Sequence, residues 1–232
     1  MKKLLILSVC LFSIIRVEAQ DKKFRAGFEL SPFVSWMKTD QKTIESAGSR
    51  VGLNLASSGE YYFTENLAVR LGLGLSFGQG GTLKHNEIPV GQFTNLFPDS
   101  GLSSPSLDSI TRGTDIGYRL NYLEIPFALK MQTNAYGQFR YFAEIPSFTL
   151  GFRTGAKANI GGSSGENIIK DTGLINLSWG VGIGTIYNIS GDTDIVGGLY
   201  YQSGFTDVTG DAGTDNSKGT PHRIVLRIGV LF

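Results

Sequence analysis

Few residues in the chain have the types and spacing that catalysis requires. His85 and His222 are the only histidines. Ser203 and Asp207 are predicted to lie at the level of His222, so a hydrolytic His–Ser–Asp site is one interpretation of this region. The sequence contains no nucleophile motif to support it, and two distant histidines are too few ligands for a metal. We therefore predict no catalytic residue, no metal site, no cofactor and no enzymatic activity.

A glycine pattern at Gly180-Val-Gly-Ile-Gly184 superficially resembles a phosphate-binding loop. The spacing differs from that of the dinucleotide-binding fingerprint, and no helical pattern follows it. We interpret these glycines as small residues that line a narrow barrel interior.

Charged residues recur singly within apolar stretches, which is the most informative chemical pattern in the sequence. Each occupies the polar face of a segment whose neighbouring residues are apolar, so all are predicted to point to one side of a sheet. The set consists of Arg25, Glu29, Glu60, Arg70, Glu124, Arg140, Glu144 and Arg227.

These charges are carried by strands. From Leu67 to Gly78, six apolar residues alternate with Ala, Arg, Gly and Ser, and the last eleven residues, from His222 to Phe232, alternate in the same way. Such period-two patterns predict β-strands with one apolar face. Eight strands are predicted, at about 24–35, 50–62, 67–78, 118–130, 138–153, 175–187, 194–205 and 222–232.

The connections between the strands alternate between long and short. Long polar loops are predicted at 38–48, 80–117, 154–172 and 207–221, and tight turns at 64–66, 133–135 and 190–192. Short periplasmic turns and long extracellular loops are typical of outer-membrane barrels. The predicted fold is therefore all-β, an eight-stranded antiparallel transmembrane β-barrel. A soluble lipocalin-like barrel is the main alternative, but its apolar residues would point inward.

The N-terminus predicts export. Lys2 and Lys3 precede an apolar run from Leu4 to Ile15, and small residues precede Gln20. This is the pattern of a secretory signal peptide, predicted to span residues 1–19 and to be cleaved after Ala19. Residues 20–232 then form one barrel domain in the outer membrane. A net charge of +1 gives no indication of a nucleic-acid partner.

Within a barrel, the eight charges would face the lumen. Counting along the strands places Glu29, Glu124, Glu144 and Arg227 near mid-height, and Arg25, Glu60, Arg70 and Arg140 nearer the turn end. If the last strand pairs with the first, Arg227 lies beside Glu29. Three carboxylates near one arginine predict an acidic excess, relieved by lumenal water, a raised carboxyl pKa or the arginines below. The hypothesis is a charged plug, because side chains nearly fill so narrow a barrel.

Several segments resemble the PorT-like outer-membrane β-barrel family of Bacteroidetes. Tyr122-Leu-Glu-Ile-Pro126 resembles its Y-L-E-I-P motif, Gly180–Gly184 its glycine-alternating strand, and Tyr200–Asp207 its Y-x-x-G-L-T-D segment. The terminal strand ending at Phe232 is also similar, whereas Ile145-Pro146 stands where the family more often has Gly-Pro. The resemblance implies a barrel in the outer membrane and a link, through one family member, to protein secretion.

The predicted role is structural or partner-binding at the cell surface. Expected partners are outer-membrane lipid, the barrel-assembly machinery through a signal at Phe232, and a protein bound by the 80–117 loop. The alternative is a small pore or ligand-binding barrel, and a remote alternative is a lipid-modifying barrel enzyme. Proline in a barrel strand usually marks a bulge, so Glu124-Ile-Pro126 and Glu144-Ile-Pro146 are interpreted as kinks that let a small barrel close. A shaped lumen or a lateral docking surface is the alternative.

Overall fold

The computed structural model describes residues 23–40, 42, 44–86, 113–160, 163–209 and 218–232. Eight antiparallel strands form a closed ring in chain order, because each strand pairs with the next and the last pairs with the first. The ring strands are β1 (Phe24–Thr39), β2 (Ile44–Thr64), β3 (Leu67–His85), β4 (Thr114–Gln132), β5 (Phe139–Ile160), β7 (Ile175–Ser190), β8 (Thr193–Gly204) and β9 (Gly219–Leu231). The predicted fold class, an eight-stranded antiparallel barrel, is confirmed.

The alternation seen in the sequence separates the two faces of the barrel wall. In β3, Leu71, Leu73, Leu75 and Phe77 are exposed on the outside, while Arg70 and Ser76 are buried inside. The same arrangement on the other strands produces a continuous outward belt of apolar side chains. A belt of this kind faces hydrocarbon, and it excludes the lipocalin-like alternative, in which the apolar face points inward. Because the ring is closed, no long sheet edge is exposed within the belt.

The strands extend further at the loop end than the sequence predicted. The predicted loop at 38–48 is mostly strand, since β1 continues to Thr39 and β2 begins at Ile44. Likewise, β3 extends to His85, so this residue ends a strand instead of lying in a loop. These extensions are rich in polar residues and glycine, and they are held by backbone pairing to their neighbours rather than by an apolar outer face.

The predicted loop at 154–172 also contains regular structure. Strand β5 extends to Ile160, and a short strand β6 (Ser163–Asn167) pairs with its end. A single 3-10 turn follows at Ile169–Asp171. The last predicted loop, 207–221, begins and ends earlier than expected, because β8 ends at Gly204 and β9 begins at Gly219.

The two Glu-Ile-Pro segments differ in their effect on the sheet. Pairing of β5 with β7 shifts register between Glu144 and Ser147, as expected of a bulge at Pro146. Pairing of β3 with β4 keeps the same register on both sides of Pro126, so the bulge predicted there is wrong.

Other predictions concern residues outside the described part of the chain. The signal peptide at 1–19 and most of the 80–117 loop, from residue 87 to residue 112, belong to this group. Among the described residues, no helix is long and apolar enough to cross a membrane.

Candidate functional site in the barrel lumen

Two arginines and two glutamates meet at the middle of the lumen. Arg70 on β3 donates to both carboxylate oxygens of Glu29 on β1, at 3.2 and 2.5 Å. Arg227 on β9 lies 3.3 Å from Glu29 and 2.8 Å from Glu144 on β5, and Arg70 approaches Glu144 at 3.8 Å. We refer to Glu29, Arg70, Glu144 and Arg227 as the central charge cluster. Each of these ions contacts two ions of opposite sign, which offsets the cost of removing them from water.

A second ionic contact lies nearer the loop end. Arg223 on β9 donates to both oxygens of Glu124 on β4, at 2.8 and 2.9 Å. Asn54 also donates to Glu124, at 2.9 Å, and Gln202 accepts from Arg223 Nε at 2.5 Å. This bidentate geometry is a strong arrangement for an arginine and a carboxylate.

Two further ionic contacts lie nearer the turn end. Lys130 donates to both oxygens of Glu60 at 2.6 and 2.7 Å, and Tyr62 donates to the same carboxylate at 2.5 Å. At the rim, Arg25 and Arg140 both pair with the carboxylate of Asp194, which is fully buried. Every residue in the predicted set of eight therefore contacts an oppositely charged side chain inside the barrel.

The acidic excess predicted at mid-height is wrong. The three carboxylates Glu29, Glu124 and Glu144 meet three arginines, because Arg70 reaches up to the central cluster and Arg223 joins from β9. Of the alternatives considered, help from additional arginines is the one that the geometry provides. The adjacency of Arg227 and Glu29 agrees with the predicted pairing of the last strand with the first.

Among the described residues that form ion pairs in the lumen, sequence reasoning missed Lys130, Asp194 and Arg223. Arg223 could have been found, since it shares the polar face of the last strand with Arg227. Lys130 lies at the end of a strand whose alternation is clear. Asp194 begins a glycine-rich strand whose faces cannot be distinguished by hydropathy, so no signal marked it as buried.

An apolar cluster fills the lumen at the loop end, where the strands extend beyond the apolar belt. We refer to this cluster as the outer plug. It includes loop residues Ile168 and Val208, which are fully buried, together with strand residues Met37, Ile44, Leu83, Ile116, Tyr118, Leu120, Tyr122, Ala156, Ala158 and Ile160. The lumen is therefore filled by apolar packing at the loop end, and at the levels below by paired ions together with a second apolar cluster that includes Phe33, Phe142 and Tyr200.

The glycines of β7 make room for a buried aromatic ring. A Cβ added at Gly182 would lie 2.0 Å from ring atoms of Tyr200, so no other residue fits there without moving the ring. Tyr200 lies 3.7 Å from the guanidinium of Arg227, measured to the ring centroid, and its hydroxyl accepts from Arg227 at 2.5 Å. These glycines thus line the lumen, as the sequence suggested, and no helix follows them.

The residues considered for hydrolysis do not form a site. Asp207 accepts hydrogen bonds from the backbone of Thr209 and Gly219 at 2.9 Å, and so fixes a loop. His222 stacks on Trp36 on the outer wall, with ring centroids 6.0 Å apart, and contacts the hydroxyls of Tyr201 and Thr220. Ser203 lies opposite His222 in the register, without a hydrogen bond between them among the described contacts.

The terminal residue closes the ring. The backbone of Phe232 exchanges two hydrogen bonds with Ala26 of β1, at 2.8 and 3.2 Å, and its side chain is exposed at the turn end. Among the described residues, no group of three or more His, Cys, Asp or Glu side chains could hold a metal ion.

The central charge cluster yields a stability prediction. Replacing Arg227 with Met leaves two carboxylates facing Arg70 alone, so we expect a loss of about 3–5 kcal/mol in the free energy of unfolding. Replacing Arg227 with Met and Glu29 with Leu leaves the Arg70–Glu144 pair balanced, and this double variant should be the more stable of the two. Urea unfolding in lipid vesicles measures both, and the outward Lys84→Met variant is the control, expected within about 1 kcal/mol of the parent. A double variant less stable than Arg227→Met would contradict the pairing.

Comparison with known proteins gives a family for this barrel. Residues 18–210 match the family described as the outer membrane protein beta-barrel domain. No curated protein matches the chain.

Three solved structures illustrate the similarity. Neisserial surface protein A is 15% identical, with 88% of this chain and 95% of that chain covered and a TM-score of 0.44. Ail, the attachment invasion locus protein of Yersinia pestis, in complex with the heparin analogue sucrose octasulfate, is 13% identical, with 90% and 99% covered and a TM-score of 0.41. OprG from Pseudomonas aeruginosa is 11% identical, with 90% and 95% covered and a TM-score of 0.41. These similarities are too distant to indicate a shared activity.

The family match spans most of the chain, and the closed ring, the outward apolar belt and the paired lumenal ions agree with it. The chain therefore belongs to the outer membrane protein beta-barrel domain family, and it is an outer-membrane β-barrel protein.

Proposed function

We propose that this barrel is a non-conducting surface protein, whose extended strands hold its extracellular loops as a rigid platform for a protein partner. The closed lumen is the observation that carries the proposal. A pore needs a continuous water path, but here buried side chains meet across the lumen at four levels: the outer plug, Glu124 with Arg223, the central charge cluster and the ions near the turns.

The platform is supported by the extensions of the strands beyond the apolar belt. Exposed polar side chains cover their outer face, including Glu45, Ser49, Arg119 and Asn159. The outer plug gives these extensions a packed interior, and Ile168 and Val208 attach two of the loops to it. Loops supported by a packed scaffold are common positions for binding residues.

A PorT-type role in protein secretion is the finer form of this proposal. Two residues of the motif that carries the PorT resemblance most specifically face the lumen: Tyr122 is buried in the outer plug, and Glu124 pairs with Arg223. They support a shared barrel architecture. Any contact with a secretion partner would instead have to use the exposed loops.

Planar-bilayer recording tests whether the barrel conducts. The purified protein should show no steady ion conductance, because buried side chains meet across the described lumen at these four levels. A porin of about 16 or more strands, which leaves an aqueous channel, is reconstituted in the same bilayer as a check that an open lumen is detected. Steady conductance by the wild-type protein would favour the small-pore alternative.

The loop between β3 and β4 is the proposed partner-binding element. Replacing residues 88–111 with a short Gly-Ser linker should leave the barrel folded, since the described ring is complete without them. The same change should abolish the co-purification of a partner cross-linked in native membranes. A matched deletion of residues 210–217 in another loop should preserve it. Equal loss in both variants would argue against a specific role for the first loop.

The barrel-assembly machinery is a proposed partner through Phe232. The final strand must be received as an edge before β1 can pair with it, and an exposed terminal aromatic residue is available for recognition. Phe232→Ala should reduce the amount of protein inserted in the outer membrane by severalfold without reducing export to the periplasm. Cell fractionation measures both amounts, with the outward Phe139→Ala variant at the same end of the barrel as control. Unchanged insertion would leave Phe232 only an interfacial anchor.

A further inference from the structure

Two cations lie directly opposite each other on the outer wall, just above the apolar belt. Arg119 on β4 pairs in the register with Lys157 on β5, and both side chains are exposed on the outward face. Residues opposite each other on antiparallel strands have Cβ atoms about 4.5–5.5 Å apart, and like charges in such positions are destabilising. This pair therefore reduces the stability of the free protein unless an anion binds to it.

A third cation reaches the same place from β2. Arg50 Nη1 donates to the backbone carbonyl of Tyr118, the residue next to Arg119, at 3.4 Å. The intervening strand β3 presents Gly80 and Gly81 opposite Arg119 and Tyr118, so no side chain blocks the path. We refer to Arg50, Arg119 and Lys157 as the basic row.

Among the described residues, the register neighbours of the basic row include no acidic side chain. Its lateral neighbours are Gly80 and Asn167, and the next outward positions above it are Thr82, Gly117 and Asn159. Glu166 is the next residue along β6 and is half-buried, and its register partner is Ala158, whose side chain is buried inside the barrel.

A nearby lysine shows the opposite arrangement. Lys84, on the same outward face further from the membrane, has Glu45 opposite it on β2 and Asp115 opposite it on β4. Lys84, which lies away from the lipid, thus has carboxylates opposite it in the register. The described register neighbours of the basic row, which lies near the lipid, include none.

The height of the basic row indicates what would bind it. One pair below, Asn121 lies opposite Gly155, and below that the apolar belt begins on these strands with Leu123 opposite Phe152. At this boundary the acyl chains of a lipid end and its headgroup begins. Cations placed there attract anionic headgroups.

We propose that the basic row binds the phosphate of an outer-leaflet lipid headgroup, while the acyl chains of that lipid lie along Leu123 and Phe152. The guanidinium of Arg119 supplies a planar pair of donors suited to a phosphate, and Lys157 adds a point charge beside it. The bound phosphate cancels the repulsion between the two cations, so the lipid stabilises the extension of the barrel above the membrane.

The test uses the purified full-length protein in detergent with bisphosphorylated lipid A as the probe, and native mass spectrometry to measure binding. An Arg119→Gln and Lys157→Gln double variant should bind at least about tenfold more weakly than wild type, since two cations near the headgroup are lost. Lys84→Gln removes an outward cation that has its own carboxylates and should bind as wild type does. Arg119→Lys keeps the charge and should retain most of the binding.

Three further measurements separate the possible outcomes. Lipid A without phosphates should bind wild type as weakly as the intact lipid binds the double variant. Without lipid, the double variant should unfold at the same urea concentration as wild type or a higher one, because a repulsion has been removed. Equal lipid binding by wild type and the double variant overturns the proposal, and so does displacement of the lipid by millimolar inorganic phosphate, which would identify a site for the free ion.

Discussion

Pairing of ions inside a narrow ring is the constraint on which the rest of this structure depends. An eight-stranded barrel has an interior that is just wide enough for side chains, so a charged residue pointing inward cannot remain fully hydrated. Here Glu29, Arg70, Glu144 and Arg227 solve the problem by contacting one another across the lumen, from four different strands. The same constraint explains the small residues of β7, since Tyr200 can lie over Arg227 only because Gly182 has no side chain.

The barrel changes character along its axis. Within the apolar belt, its exterior is apolar, and its interior combines paired ions with a second buried apolar cluster that includes Phe33, Phe142 and Val225. Above the belt, the extended strands have polar outer faces and the apolar outer plug inside, the arrangement of a soluble β-barrel. One closed sheet therefore has an outer face suited to lipid over part of its height and to water above it. The change occurs between the level of the Arg223–Glu124 pair and the level of the Tyr122 side chain.

The fold could be predicted from sequence because period-two alternation reports directly on which face of a strand meets lipid. Strand β3 is the clearest example, because every second residue from Leu67 to Phe77 is apolar and faces outward. The extensions of the strands could not be predicted, since polar and glycine-rich stretches such as Ser46–Ser49 resemble loops when no apolar face marks them. The sequence also could not show which lumenal ions pair with each other, except where the two residues lie on adjacent strands. Contacts across the lumen, such as Arg223 with Glu124, depend on the stagger of the whole ring, which alternation within one strand does not report.

The lumenal ion pairs join parts of the chain that are far apart in sequence. The partners in Arg223–Glu124, Arg227–Glu144 and Arg70–Glu29 are separated by 99, 83 and 41 residues. Contacts between residues so far apart in sequence form slowly, because the intervening chain must be ordered before the contact can stabilise the fold. Two of these pairs use β9, so they are not complete until the last strand has docked against the first. Until that moment several unpaired ions would face the membrane interior, which makes an open, half-inserted sheet a high-energy state. We therefore expect closure of the ring and its insertion into the membrane to be coupled.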